Sequence, residues 1–105
     1  MVIKSFHTYL KPLIDFYTEV YETSESTIDK KSALKGINGV QSIQKEILKY
    51  EKKQQKKHLK VIYNQLSNLS RGIEFFENFE TNEQHNALGI HIYTMQEKIE
   101  KELNW

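Results

Sequence analysis

The sequence predicts an all-α protein, an antiparallel up-down four-helix bundle built as one domain over residues 1–105. Three observations lead there. Good helix formers (Glu, Lys, Gln, Leu, Ile) dominate, while one proline and four glycines leave little turn material for a many-stranded sheet. Apolar residues recur at steps of three and four in four separate stretches, the signature of amphipathic helices. The stripes on either side of residues 51–58 are out of phase, which requires the chain to double back between them.

Helix 1 is expected from about Val2 to Thr23, with Phe6, Leu10, Leu13, Phe16 or Tyr17, and Val20 on one stripe. Pro12 removes a backbone donor, so either a kink or a helix starting near Pro12 is expected. SESTI (24–28) is a short polar loop. Ser26, with Asp29 three residues on, is a variant capping box that starts helix 2. Helix 2 runs to about Tyr50 on the stripe Val40, Ile43, Ile47 and Tyr50. Gly36, Asn38 and Gly39 weaken its first half and mark a candidate break.

The next stripe is Leu59, Ile62, Leu66, Leu69, Ile73 and Phe76, ending near Glu80. From Tyr50 to Leu59 is nine residues, roughly 900° of helix, which leaves the two stripes half a turn apart. A reversal within 51–58 puts both into one core. The competing reading is one helix of about forty residues that buries its second stripe in a dimer. Thr81, with Gln84 three residues on, can cap helix 4, whose stripe is Leu88, Ile92, Met95, Ile99 and Leu103. Tyr9, Tyr17, Tyr21, Phe75, Phe76 and Phe79 are expected in the core or at its edge, with one of the phenylalanines exposed.

The 105 residues allow one modest core but not a core plus a deep cleft. Without cysteine there is no disulfide, thiolate zinc site or cysteine nucleophile. The N-terminal stretch has no uninterrupted apolar region and no small-residue cleavage site, so no signal peptide is expected. No window of 18 apolar residues exists to span a membrane. The histidines are His7, His58, His85 and His91; the last two are six apart and cannot share a helix face as metal ligands. GINGV (36–40) lacks the Lys-Ser/Thr that would hold phosphate, and no nucleophile elbow or dinucleotide fingerprint is present. The sequence therefore offers no catalytic residue, no cofactor site and no metal site.

Charge is the uneven feature. Net charge is +1, but residues 1–29 hold two lysines against five acids, and 61–105 hold three bases against seven acids. Residues 30–60 hold ten lysines against two acids, and KYEKKQQKKHLK (49–60) is their centre. In a bundle this separates an acidic end, with Glu19, Glu22, Glu25, Asp29, Glu77, Glu80 and Glu83, from a basic end at the 51–58 turn. If 45–60 were one helix, like-charged lysines four apart would each cost about 0.2–0.5 kcal/mol. Lys52, Lys53, Lys56, Lys57 and Lys60 are thus candidate partner contacts, or a solvated bundle end. Nucleic acid is disfavoured, because Arg71 is the one arginine and no aromatics interleave the lysines for base stacking. An anionic membrane would attract the lysines, although the sequence shows no apolar wedge beside them. Trp105, the last residue, either docks back on the bundle or stays free for a partner.

Residues 66–73, LSNLSRGI, and 90–101, IHIYTMQEKIEK, resemble the immunity proteins of pediocin-like (class IIa) bacteriocins. The shared elements are Leu69-Ser70-Arg71-Gly72-Ile73 and Ile92-Tyr93-Thr94 with the Gln, Lys and Ile pattern that follows. The stretch from the first to the second spans about a third of the chain. The first half, with the lysine run, has no counterpart. The resemblance implies an antiparallel four-helix bundle with no catalytic residue. It implies a cytoplasmic, partly membrane-associated protein that shields a bacteriocin producer by binding the bacteriocin-bound mannose phosphotransferase permease from inside. Specificity is then expected in helices 3 and 4 and the tail 102–105. The contact set comprises Lys52, Lys53, Lys56, Lys57, Lys60, Arg71, Leu103 and Trp105 on a monomer, with Gly72 letting helix 3 approach a neighbour. The rival function is a small helical regulator or inhibitor acting on protein or nucleic acid.

Overall fold

The computed structural model describes residues 6–73 and 82–105, with the side chains of 82–86 excepted. Four helices follow one another: α1 (Phe6–Thr23), α2 (Thr27–Lys53), α3 (Lys56–Ile73) and α4 (Asn82–Leu103). Each packs on its neighbour in sequence, and α1 closes the ring on α4 through the smallest of the four interfaces. The architecture is the expected all-α, antiparallel up-down bundle. Its 42 Å long axis is close to the length of α2, whose 27 residues span about 40 Å at 1.5 Å each. No described helix is long and apolar enough to cross a membrane.

The helical stripes form the core. Phe6, Leu10, Leu13, Phe16 and Tyr17 of α1 meet Val40, Ile43, Ile47 and Tyr50 of α2. Leu59, Ile62, Leu66, Leu69 and Ile73 of α3 and Leu88, Ile92, Met95 and Ile99 of α4 complete it. Tyr9 and Val20 lie at the edge. Tyr21, expected there too, is instead exposed, because it falls past the last buried turn of α1. Phe75, Phe76, Phe79, the end of helix 3 near Glu80 and the Thr81–Gln84 cap lie outside the described residues or side chains, as do Glu77, Glu80 and Glu83 of the acidic end.

Neither a helix start at Pro12 nor a break at the α2 glycines occurs. α1 runs through Pro12 from Phe6, so the helix does not start at the proline. α2 is continuous through Gly36, Asn38 and Gly39. Packing accounts for both glycines. A Cβ on Gly36 would lie 2.5 Å from the Tyr17 ring, and one on Gly39 would lie 3.0 Å from Leu69 Cδ2. These glycines let α1 and α3 press against α2, and burial repays their low helix propensity. Gly72 behaves differently from its expected role: no described atom lies within 4 Å of where its Cβ would be. Among the described residues it provides no close approach.

α2 starts as its sequence suggests. Ser26 is the N-cap in extended conformation (φ −78°, ψ 121°), and its Oγ accepts from the Asp29 N–H at 3.2 Å. Asp29 itself is buried, so it belongs to this cap and not to the solvated acidic surface formed by Glu19, Glu22 and Glu25.

The glycines separate two physical roles, and thermal unfolding distinguishes them. Gly36→Ala forces Tyr17 to move and costs about 1–3 kcal/mol of overpacking, more than the roughly 1 kcal/mol gained in helix propensity, so Tm falls. Gly72→Ala meets no described atom and keeps that gain, raising Tm by about 4 °C or more. Equal shifts for the two variants would contradict the Tyr17 contact.

Candidate functional site

The chain reverses at Gln54 and Gln55, between α2 and α3. Gln54 adopts the left-handed conformation (φ 57°, ψ 29°), and its N–H donates to the Tyr50 carbonyl at 2.7 Å. This is the αL helix ending, in which a single bond from the residue past the cap satisfies a terminal carbonyl. The Gln54 Nε2 amide donates to the next carbonyl, Glu51 O, at 3.0 Å. Glutamine thus replaces the usual glycine by capping with its own side chain. On the other side, the His58 N–H donates to Gln55 O at 3.1 Å and starts α3.

A buried strut ties the two helices below this turn. His58 Nδ1 lies 2.9 Å from Glu46 Oε2, twelve residues back on α2, and Lys49 Nζ donates to the other Glu46 oxygen at 3.2 Å. His58 is 7% exposed, and its Nε2 has no hydrogen-bond partner among the described residues. His58 is buried because the reversal folds the first turn of α3 against α2. Burial works against ionisation of Glu46, but the hydrogen bonds from His58 and Lys49, with their charges, outweigh it and hold the carboxyl below its ordinary value of 4.5.

The lysines crown this strut. Lys52 and Lys53 end α2, Lys56 and Lys57 begin α3, and Lys60 follows one turn on; all five are exposed. None of the five makes an ion pair among the described residues, whereas Lys11, Lys49 and Lys101 pair with Asp15, Glu46 and Glu97. Their fields differ. Lys52 and Lys53 sit at a helix C-terminus, where the macrodipole favours cations. Lys56 and Lys57 sit at a helix N-terminus, where it opposes them, and the first turn of α3 contains no acid. An anion at this corner would gain from both the lysines and the free α3 amides.

The C-terminus of α4 reaches the same end. Asn104 is left-handed (φ 58°); the Trp105 N–H donates to Glu100 O at 2.9 Å and the Asn104 N–H to Lys101 O at 3.3 Å. These are the two bonds of a Schellman ending. They turn Trp105 back so that its ring meets Tyr63 edge-on, with centroids 5.2 Å apart at 79°. Trp105 is nonetheless 61% exposed, so it is docked and accessible together. Tyr63 is fixed in turn: its hydroxyl donates to Glu100 Oε1 at 2.8 Å, and this bond, then burial and the Glu100 charge, raises its pKa. Gln96 Nε2 completes the α3–α4 seam, donating to Ser67 Oγ at 2.8 Å and Tyr63 O at 3.2 Å.

Not every candidate contact joins this corner. Arg71 is exposed in the last turn of α3, at the opposite end of the bundle. Leu103 is half-buried against the core, so it anchors the tail instead of facing a partner. The five lysines share the basic end with Trp105 and Tyr63. The Glu46–His58 strut and the Tyr63 platform carried no separate sequence signal, since each joins residues on different helices. The sequence showed no apolar wedge beside the lysines, yet the expected candidate Trp105 comes to this end and Leu48, one turn before Lys52, is 60% exposed. Among the described residues no group of three or more His, Cys, Asp or Glu is placed to hold a metal ion.

The strut gives a pH signature. A carboxyl held low in the folded state contributes stability above its unfolded value and loses it as pH falls through the folded one. The stability of the wild type over Glu46→Gln should therefore be full above about pH 5 and shrink as pH falls below 4.5. Urea unfolding of both proteins from pH 7 to pH 3 measures this, and a constant difference would refute it. No family model matches this chain, and neither does any curated protein or any solved structure.

Proposed function

We propose that this chain is a non-enzymatic immunity protein of the pediocin-like kind. It protects its cell by binding the bacteriocin-bound mannose phosphotransferase permease from the cytosolic side. The two segments that carry the resemblance lie on α3 and α4, the helices joined by the Tyr63, Gln96 and Glu100 seam. The observation that supports a binding role best is the corner where this seam ends. Five lysines without ion pairs among the described residues share one end of the bundle with an accessible tryptophan held on a tyrosine. Exposed aromatics fixed by their neighbours are effective contact residues because little side-chain freedom remains to be lost.

The division of labour follows from position. Lys52, Lys53, Lys56, Lys57 and Lys60 bring the basic end to the anionic inner leaflet, with Leu48 and Trp105 as the apolar contacts beside them. Trp105 and Tyr63 then contact the receptor complex, and the protein works as a cytoplasmic, partly membrane-associated monomer. Leu103 holds the tail in place from within the core.

Expression in a sensitive strain, followed by challenge with a panel of pediocin-like bacteriocins, tests the reading. Survival should rise for at least one peptide, and Trp105→Ala should reduce it while helical circular dichroism stays unchanged. Unaltered survival across the panel removes the proposal, and a salt-dependent shift of DNA or RNA by the purified protein would favour the regulator instead. Separately, co-sedimentation with phosphatidylglycerol vesicles should fall as salt rises from about 0.05 to 0.5 M, since screening shortens the reach of the lysines. Joint replacement of Lys52, Lys53, Lys56 and Lys57 by Gln should abolish it.

A further inference from the structure

We infer that the α2–α3 turn is a hinge held shut by lysine repulsion. When salt screens the lysines, α2 and α3 straighten into one helix and two copies of the chain exchange their α3–α4 pairs. The turn is Gln54 and Gln55 alone. Gln54 is left-handed (φ 57°), a conformation strained for any residue with a side chain. Residues 51–57 are all exposed, so the turn adds no buried side chain to the core. It contains neither glycine nor proline, and glutamine and lysine are good helix formers. The local sequence therefore prefers the helix that the fold interrupts.

The backbone is already close to that helix. The Gln54 N–H donates to Tyr50 O, the same bond a continuous helix makes. Helical angles at Gln54 and Gln55 would pass Glu51 O from the Gln54 side chain to the Gln55 N–H. They would also pair the carbonyls of 52–54 with the amides of 56–58, groups that lie at two separate helix ends in the hairpin. Charge opposes this. Lys52 would stand four residues before Lys56, and Lys53 three before Lys56 and four before Lys57, on one helix surface. Salt weakens that repulsion and leaves the strain at Gln54 in place.

A second copy is the occupant, because opening uncovers the face that the chain's own other half had covered. The α1–α2 and α3–α4 pairs are joined by this turn alone. Exchange between two chains thus rebuilds the interface, with the Glu46–His58 strut now formed between chains. Apolar stripes on different sides of a straight helix then serve two bundles instead of one. Short, strained hinges favour such exchange. The hinge is independent of the immunity reading, which the monomer carries, and either can fail without the other.

The test refolds the full chain from urea at high protein concentration, in about 0.05 or 0.5 M salt, and measures mass by light scattering after size exclusion. The dimer fraction should rise about fivefold with salt, the scale of relieving three like-charged pairs. Gln54→Gly suits the left-handed turn and disfavours the helix, so it should keep the chain monomeric. Joint Gln54→Ala and Gln55→Ala should raise the dimer fraction at the lower salt, with helical circular dichroism at least that of the wild type. A wild type that stays monomeric at both salts, or a dimer equally abundant in Gln54→Gly, would overturn the hinge. So would a folded double-alanine chain that dimerises no more than the wild type.

Discussion

The bundle depends on a left-handed residue in an unfavourable place. α2 and α3 present apolar stripes that a straight helix would set on opposite sides, and one core forms only if the chain turns sharply between Lys53 and Lys56. Gln54 makes that turn at the conformational cost a side chain incurs in the left-handed region. Two capped carbonyls, at Tyr50 and Glu51, offset part of it. The rest comes from burial of Tyr50 before the turn and of Leu59 and Ile62 after it, together with the Glu46–His58 strut. Local preference gives way because the apolar area gained on both sides is larger.

The charge layout follows from the same turn. Lysines that would repel along one long helix are divided between two helix ends, and their side chains fan into solvent. The division is unequal, because those at the start of α3 oppose its dipole. A bundle end with no partner would gain from acids at those positions, as helices do elsewhere. The same end holds an accessible tryptophan in a fixed pose and an exposed leucine. Several local choices at one place thus run against simple stability, which is how binding surfaces differ from the rest of a fold.

The periodic parts of this protein were legible in the sequence. The stripes of all four helices became the core almost residue for residue, and the phase mismatch between Tyr50 and Leu59 located the turn. The capping role of Ser26 was also readable. What was not readable depends on pairs of helices. Glycines 36 and 39 read as helix breakers until Tyr17 and Leu69 are placed against them. The contact of His58 became visible only when the turn brought Glu46 beside it. Leu103 and Trp105 read as equal members of a tail, whereas the Schellman ending turns one inward and the other out. Arg71 was grouped with the lysines as a partner contact, and α3 carries it to the far end.

The placement of the lysine corner at one end of a 42 Å axis also affects how the molecule approaches other bodies. A negatively charged surface exerts a torque on such a rod and turns its lysine corner forward, an alignment that begins roughly one Debye length away, about 8 Å at physiological salt. The first collision therefore favours the end that carries Trp105, which shortens the orientational search that otherwise slows association.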